Sequence, residues 1–312
     1  MSHILPGGGT AYETCGEFLG WQDTLDGCSA ERLPRFRSCD RKECPKCWPR
    51  WLRKEAPAAS GKLWGKLRAL DEYGHGPYGQ LNHFQFSPPP EVVAESRETG
   101  DRAVLDRWLR QALPAAGIRA GAVLFHPFRL VGGSRGDSPL PPQELWITQN
   151  GRLWYQSPHF HVLGCGFYRC EKDEDRPAVL RGAVVSTLSR DLDEDATRRA
   201  LLYLLDHSGV PVSGKRELAL RYYGDFHSSR VRSRLVETTR EQKLCDCCEQ
   251  ELFFFAGDED QESGERWLVP DCEPVAVLTV EHVYHYEVAP RARVRHPQQK
   301  LAVGLAGRPP GR

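Results

Sequence analysis

Hydrophobic and polar residues alternate along Asn82-His-Phe-Gln-Phe-Ser87, and three prolines, Pro88 to Pro90, follow at once. Alternation with period 2 puts one set of side chains on each face of a strand, and prolines, lacking the N–H a ladder needs, stop it there. Asp101 to Leu113 changes period. Val104, Leu105, Trp108, Leu109 and Leu113 recur at three- and four-residue spacing, which predicts a helix with one apolar stripe ending before Pro114. Gly121-Ala-Val-Leu-Phe125 predicts a short buried strand that leads into His126-Pro-Phe-Arg129. Val131 to Gly151, rich in Gly, Pro and Ser, predicts a loop. Pro158-His-Phe-His-Val-Leu-Gly164 predicts another strand, and Asp195 to Ser208 a helix, opened by acids that suit its dipole and closed by Gly209. Strands and helices mixed in this order predict mixed α and β content, and the core is expected to be α+β.

Four regions follow from the pattern: a cysteine- and arginine-rich segment over 1–60, the core with a basic continuation over 75–240, a second cysteine cluster with β-rich patterning over 241–290, and a disordered basic tail over 291–312. The 312 residues include 42 basic and 42 acidic ones, so net charge argues neither for nor against a nucleic-acid partner. No apolar run approaches the length that spans a bilayer, and Met1 to Thr10 lacks the apolar centre of a signal peptide. A cytoplasmic location without a membrane partner is expected. No P-loop pattern occurs, so no fused helicase motor is recognisable.

The 11 cysteines are odd in number and clustered, which in a reducing compartment points to metal binding over disulfides. Cys39-x4-Cys44-x2-Cys47 offers three thiolates at zinc-knuckle spacing, with Cys28 or Cys15 to close the site. Cys245 and Cys248 form a second C-x2-C, with Cys247 between them and Cys272 downstream. Each cluster binds its own Zn2+ or the two share one; in either case the zinc is closed and structural. The neighbouring basic and aromatic run, including Arg50 and Trp51, offers guanidinium for phosphate and indole for stacking on unpaired bases, or else a tryptophan packed under the knuckle.

Period 2 puts His159 and His161 on one face of their strand, where two imidazoles can share a metal ion. An isolated H-x-H is also compatible with plain hydrogen bonding. On the later helix Leu201, Leu202, Leu204 and Leu205 make a broad apolar stripe, while Tyr203 and His207, four residues apart, share a side near Asp206 and Arg199. A tyrosine beside a metal has the parts for nucleophilic attack on a phosphodiester. His126 and His83 read as structural, and Arg129 as a candidate phosphate contact.

Pro158 to Gly164 resembles the second motif of the HUH superfamily of His-hydrophobe-His endonucleases, His83-Phe-Gln-Phe-Ser-Pro-Pro89 its first, and the Tyr203 helix its third. The likeness covers about Cys39 to Cys248 and runs to replication initiators of archaeal plasmids and viruses, with the cysteine-rich N-terminal part, the His126-Pro-Phe-Arg129 segment and Tyr203-Leu-Leu-Asp-His207 all in order. The resemblance implies an RRM-like antiparallel sheet with helices on one face and an open face for DNA. It implies Mg2+ or Mn2+ on His159, His161 and a third ligand, His207 with Asp206 as rival. Tyr203 would attack single-stranded or hairpin origin DNA, leaving a 5′-phosphotyrosine and a 3′-hydroxyl for host helicase and DNA polymerase in rolling-circle replication. Asp206 stands where many single-tyrosine members have lysine, and the helix has no second tyrosine. Tyr222-Tyr223 follows a loop and reads as sheet aromatics. Other readings are a transposase or relaxase of the same superfamily, a metal-dependent hydrolase that shares only H-x-H, and a non-catalytic zinc-stabilised DNA-binding protein.

Overall fold

The histidine strand is longer than its alternating centre and lies in the middle of the largest sheet. The computed structural model describes residues 3–25, 32–72, 79–132, 146–149, 151–168, 172–212, 218–229, 231–260, 263, 265–269 and 272–289. In chain order the elements are β1 (His3–Ile4), β2 (Phe18–Thr24), β3 (Leu33–Phe36), α1 (Trp48–Glu72), β4 (Leu81–Ser87), α2 (Pro90–Thr99), α3 (Ala103–Ala115), β5 (Ile118–Leu130), β6 (Trp146–Gln149), β7 (Arg152–Gly166), β8 (Val184–Leu192), α4 (Glu194–Asp206), β9 (Val210–Pro211), β10 (Leu220–Gly224), β11 (Val231–Gln242), β12 (Leu252–Glu259), β13 (Arg266–Leu268), β14 (Val275–Ala276) and β15 (Leu278–Val288). The fold is α+β, and the paired strands are antiparallel.

The main sheet has the order β10-β5-β7-β4-β8, with β6 along the N-terminal part of β7. Period 2 divides β7 cleanly. Phe160 and Val162 join Phe84, Phe86, Val123 and Phe125 under Leu105, Trp108, Leu109 and Leu113 of α3. Leu163 and Cys165, on the face that carries His159 and His161, meet Leu63, Leu67 and Leu70 of α1 and Leu201, Leu204 and Leu205 of α4. Helices therefore cover both faces, which corrects the expectation of one helical layer and an open face. The reason is α1, whose buried residues Ala56, Ala59, Leu63, Leu67 and Leu70 keep helical spacing although Pro57 lies inside the helix. The helix also runs through position 60, where the sequence pattern closes its first region.

Lys66 of α1 is buried in this layer; its Nζ donates to the Val231 carbonyl at 2.6 Å and lies over the Tyr222 ring. Burial, with Lys62 nearby, lowers its pKa to about 8. Between pH 8 and the ordinary lysine value of 10.5 the unfolded chain holds this proton and the folded protein has released it, so Lys66 adds stability as pH rises through that window. Denaturant titrations of wild type and Lys66→Met at pH 7.5, 9 and 10.5 are expected to show Lys66→Met the more stable at pH 7.5, with the gap closing by pH 10.5. A constant gap would refute the assignment.

A second sheet, β13-β12-β2-β3 with β14 on β12, joins the first 36 residues to the C-terminal region. A third, β11-β15, lies against α1, where a Cβ at Gly65 would be 2.3 Å from the Tyr286 ring. Residues 3–9 form a strap. At one end β1 pairs with β9, just past α4. In the middle the Gln149 side chain bonds the Leu5 N–H and the Leu5 and Pro6 carbonyls. At the other end the Gly7 and Gly9 N–H groups donate to the carbonyls of Lys42 and Glu43, inside the first cysteine cluster.

Candidate functional site

On β5 and β7 the ladder is interrupted between His126/His159 and Phe128/Gln156, where Pro127 faces the Ser157-Pro158 step. Neither proline has an N–H to give, and a bulge absorbs both while turning side chains beside it. His126 and His159 are the last directly opposed pair before the break, and His161 is one period further along the same face. The ligand atoms of His126, His159 and His161 all lie within 4.8 Å of one another. Their residues are 0%, 3% and 5% exposed.

The hydrogen bonds orient two of these rings. His159 Nδ1 is 2.8 Å from the Ser157 carbonyl, so it is the donor and Nε2 carries the lone pair. His161 Nδ1 is 2.8 Å from His83 Nε2, so this contact engages its Nδ1, with donor and acceptor set by the tautomers of the two rings. Both ring nitrogens of His126 are buried with no hydrogen-bond partner. An orphaned buried polar group is costly, and a metal ion is the partner this donor set fits. Burial first, and the mutual repulsion of the neighbouring imidazoles second, push His126 and His161 well below the usual histidine value; burial alone brings His83 to about 4. The His126 and His161 rings are therefore neutral, the form that binds metal.

His126 thus stands where His207 was expected, and neither His207 nor Asp206 joins the group. The physical reason lies at the end of α4. The helix stops at Asp206, and His207 is its C-cap at φ −129°, with its imidazole turned back to bond the Tyr203 carbonyl. Its ring still touches the group, with centroids 4.3 Å from His126, 4.6 Å from Tyr203 and 5.9 Å from the stacked Trp154. Burial raises the Asp206 carboxyl pKa. Asp193 caps the start of α4 by accepting from the Ala196 N–H at 2.6 Å. Gly209, expected to close the helix, lies beyond the C-cap and serves a close approach. Its N–H donates to the Phe125 carbonyl at 2.8 Å, and a Cβ there would lie 3.0 Å from Pro127 Cδ. The strand that carries His126 therefore also places the end of the Tyr203 helix.

Tyr203 is 66% exposed on the outer side of α4. Arg199, one turn earlier, pairs with Asp195. Arg129 donates to the hydroxyls of Ser157 and Ser87 at 3.0 and 2.8 Å, at the histidine end of the sheet, and its charge contributes to the depression of His161.

The second convergent group is Cys15, Cys39, Cys44 and Cys47, also within 4.8 Å. Cys15 fills the fourth position; Cys28 lies outside the described residues. The Cys15 Sγ is 2.9 Å from Cys47 Sγ and 3.5 Å from Cys44 Sγ, gathered about one point without a covalent bond. Burial opposes ionisation of both Cys15 and Cys47, but hydrogen bonds converging on Cys47 hold its thiol at about 6 while Cys15 rises to about 12. A four-cysteine set of this kind fits a closed tetrahedral Zn2+ site. The bound site would carry two net negative charges, and Arg35, Arg37, Lys46 and Arg50 line a recess of about 390 Å3 against Cys47. Arg50 pairs with Asp40 at 3.6 Å, and Trp51 is half-buried against the α1 core, the packed alternative to base stacking. Cys245 is buried in a turn where Glu249 takes φ 58°, with Cys247 and Cys248 exposed; among the described residues, neither convergent ligand group includes them. The first site is complete without sharing. Cys44→Ser is expected to lower zinc content by one ion per chain and to lower the melting temperature, measured by elemental analysis and calorimetry.

Among the described residues no helix is long and apolar enough to cross a membrane. No family model, curated protein or solved structure matches the chain.

Proposed function

We propose that the chain nicks and rejoins single-stranded DNA, with Tyr203 as nucleophile and a divalent ion held by His126, His159 and His161, as an initiator of rolling-circle replication. The observation that carries this reading is the unbroken run of ring contacts from the three-histidine group through His207 to Tyr203. Bound there, the ion supplies a Lewis acid for the scissile phosphate. Three imidazole donors favour Mn2+ or a later transition ion over Mg2+, which prefers oxygen.

Tyr203 Oη attacks phosphorus; the Oη–P bond forms as the P–O3′ bond breaks, the phenol loses its proton and the leaving 3′-oxygen gains one. The 5′-phosphotyrosine keeps the bond energy for rejoining. His207 and the stacked Trp154 hold the last turn of α4 so that Tyr203 keeps one approach. Arg129 and Arg199 are the candidate phosphate contacts. Single-stranded or hairpin origin DNA is the substrate, and host helicase and polymerase use the free 3′-hydroxyl.

The test is covalent capture. Labelled single-stranded oligonucleotides with Mn2+ are expected to yield an adduct resistant to detergent, mapping by mass spectrometry to the peptide that contains Tyr203. Cleavage without an adduct would assign water as the nucleophile. Binding without cleavage would make the chain a zinc-stabilised DNA-binding protein.

A further inference from the structure

His83 belongs to none of the functions described so far. It lies on β4, on the same face as the histidine pair, and its register partner on β7 is Leu163, one period from His161. The side chain is 8% exposed, its ring centroid is 5.0 Å from that of His161, and its Nε2 is 2.8 Å from His161 Nδ1. It is not one of the three residues whose ligand atoms converge.

A hydrogen bond between two neutral imidazoles needs one proton and one lone pair on the facing nitrogens. Only one assignment leaves His161 useful to the centre. With the proton on His161 Nδ1, its Nε2 keeps the lone pair, and with Nδ1 engaged by His83 that nitrogen is the one left for the ion. With the proton on His83 Nε2, the His161 proton moves to Nε2 and blocks the coordination position. The acceptor at His83 therefore decides whether the third imidazole offers a lone pair or an N–H. We infer that His83 is a positioning residue of the histidine centre, accepting the His161 Nδ1–H and so presenting Nε2 to the ion. This rests on reading His126, His159 and His161 as a metal centre. Partners of this kind typically change metal affinity about 10- to 100-fold when removed.

Two substitutions separate positioning from packing. His83→Phe keeps a ring and loses the acceptor; His83→Gln loses the ring and keeps an acceptor. Mn2+ titration of the zinc-loaded full chain is expected to show affinity falling about 10- to 100-fold in His83→Phe and staying within about threefold of wild type in His83→Gln. Co2+ in place of Mn2+ should keep its visible spectrum in His83→Gln and change it in His83→Phe. In the wild-type protein, 15N NMR of the imidazoles should find His161 protonated on Nδ1, a readout that needs no variant to fold. Equal affinity in His83→Phe and wild type, equal loss in both variants, or His161 protonated on Nε2 would each overturn the role of His83 alone. Wild-type protein that binds Mn2+ and Co2+ no better than His126→Ala would overturn the metal centre and the inference with it.

Discussion

Tyr203→Phe is expected to abolish the covalent protein–DNA adduct and to lower strand cleavage by more than about a thousandfold, since losing a nucleophile removes the chemical step itself. The fold should not register the change. Tyr203 is 66% exposed and the apolar work of α4 is done by Leu201, Leu204 and Leu205, all fully buried. A shift in stability of no more than about 0.5 kcal/mol is expected, because nothing is left unsatisfied or hollow. The phenylalanine ring also keeps the edge contact with His207, so Mn2+ affinity should stay at the wild-type value. Adduct persisting in Tyr203→Phe would move the nucleophile elsewhere, with Tyr222 and Tyr223 next to be tested. Both are poorly placed for the task, because they pair into the sheet opposite Ala122 and Gly121 and burial raises the pKa of each phenol.

His126→Leu is expected to reverse the usual relation between a core mutation and stability. In the metal-free protein the wild-type imidazole is fully buried with both nitrogens unpartnered. Each such group costs about 1–3 kcal/mol. Leucine fills similar space without that cost, so the variant should melt at the same temperature as wild type or higher when divalent ions other than the structural zinc are removed. With Mn2+ the order should invert. Wild type gains about 2.7 kcal/mol at an ion concentration 100 times its dissociation constant, and a variant with two of three ligands gains little. Melting curves with and without Mn2+ therefore cross only if His126 is a ligand. A variant destabilised in both conditions would return His126 to a purely structural role.

The parts of this site that depend on one segment were legible in the sequence, and the parts that depend on pairing were not. Period 2 put His159 and His161 on one face, and i to i+4 spacing put Tyr203 beside His207; the structure keeps both. His126 is different. The apolar run that predicts a strand stops at Phe125, yet β5 runs on to Leu130 because the prolines of two neighbouring strands share one ladder interruption. Only the register between strands shows that His126 lies opposite His159. The place of His207 was hidden for a related reason: helical spacing holds inside a helix, and this residue sits just past its end. The fourth thiolate, Cys15, is 24 residues before Cys39, too far for knuckle spacing to prefer it over Cys28. The α1 helix was masked by Pro57 and by a segment whose charges and cysteines are more conspicuous than its apolar stripe.

The strap of residues 3–9 bears on the order in which the protein assembles. Its pairing of Ile4 with Val210 joins residues more than 200 positions apart, among the most non-local contacts in the chain. Such contacts form late, because the entropy of closing so long a loop must be met before they stabilise anything. The α4 helix can form from its own cap and stripe, but the frame around its last turn waits for the strap, which leans on the cysteine cluster at its other end. Leu5 of that strap packs with Phe128 and Trp154, and Trp154 stacks on His207. During refolding, helicity and zinc uptake should therefore come first, and competence of the histidine centre last.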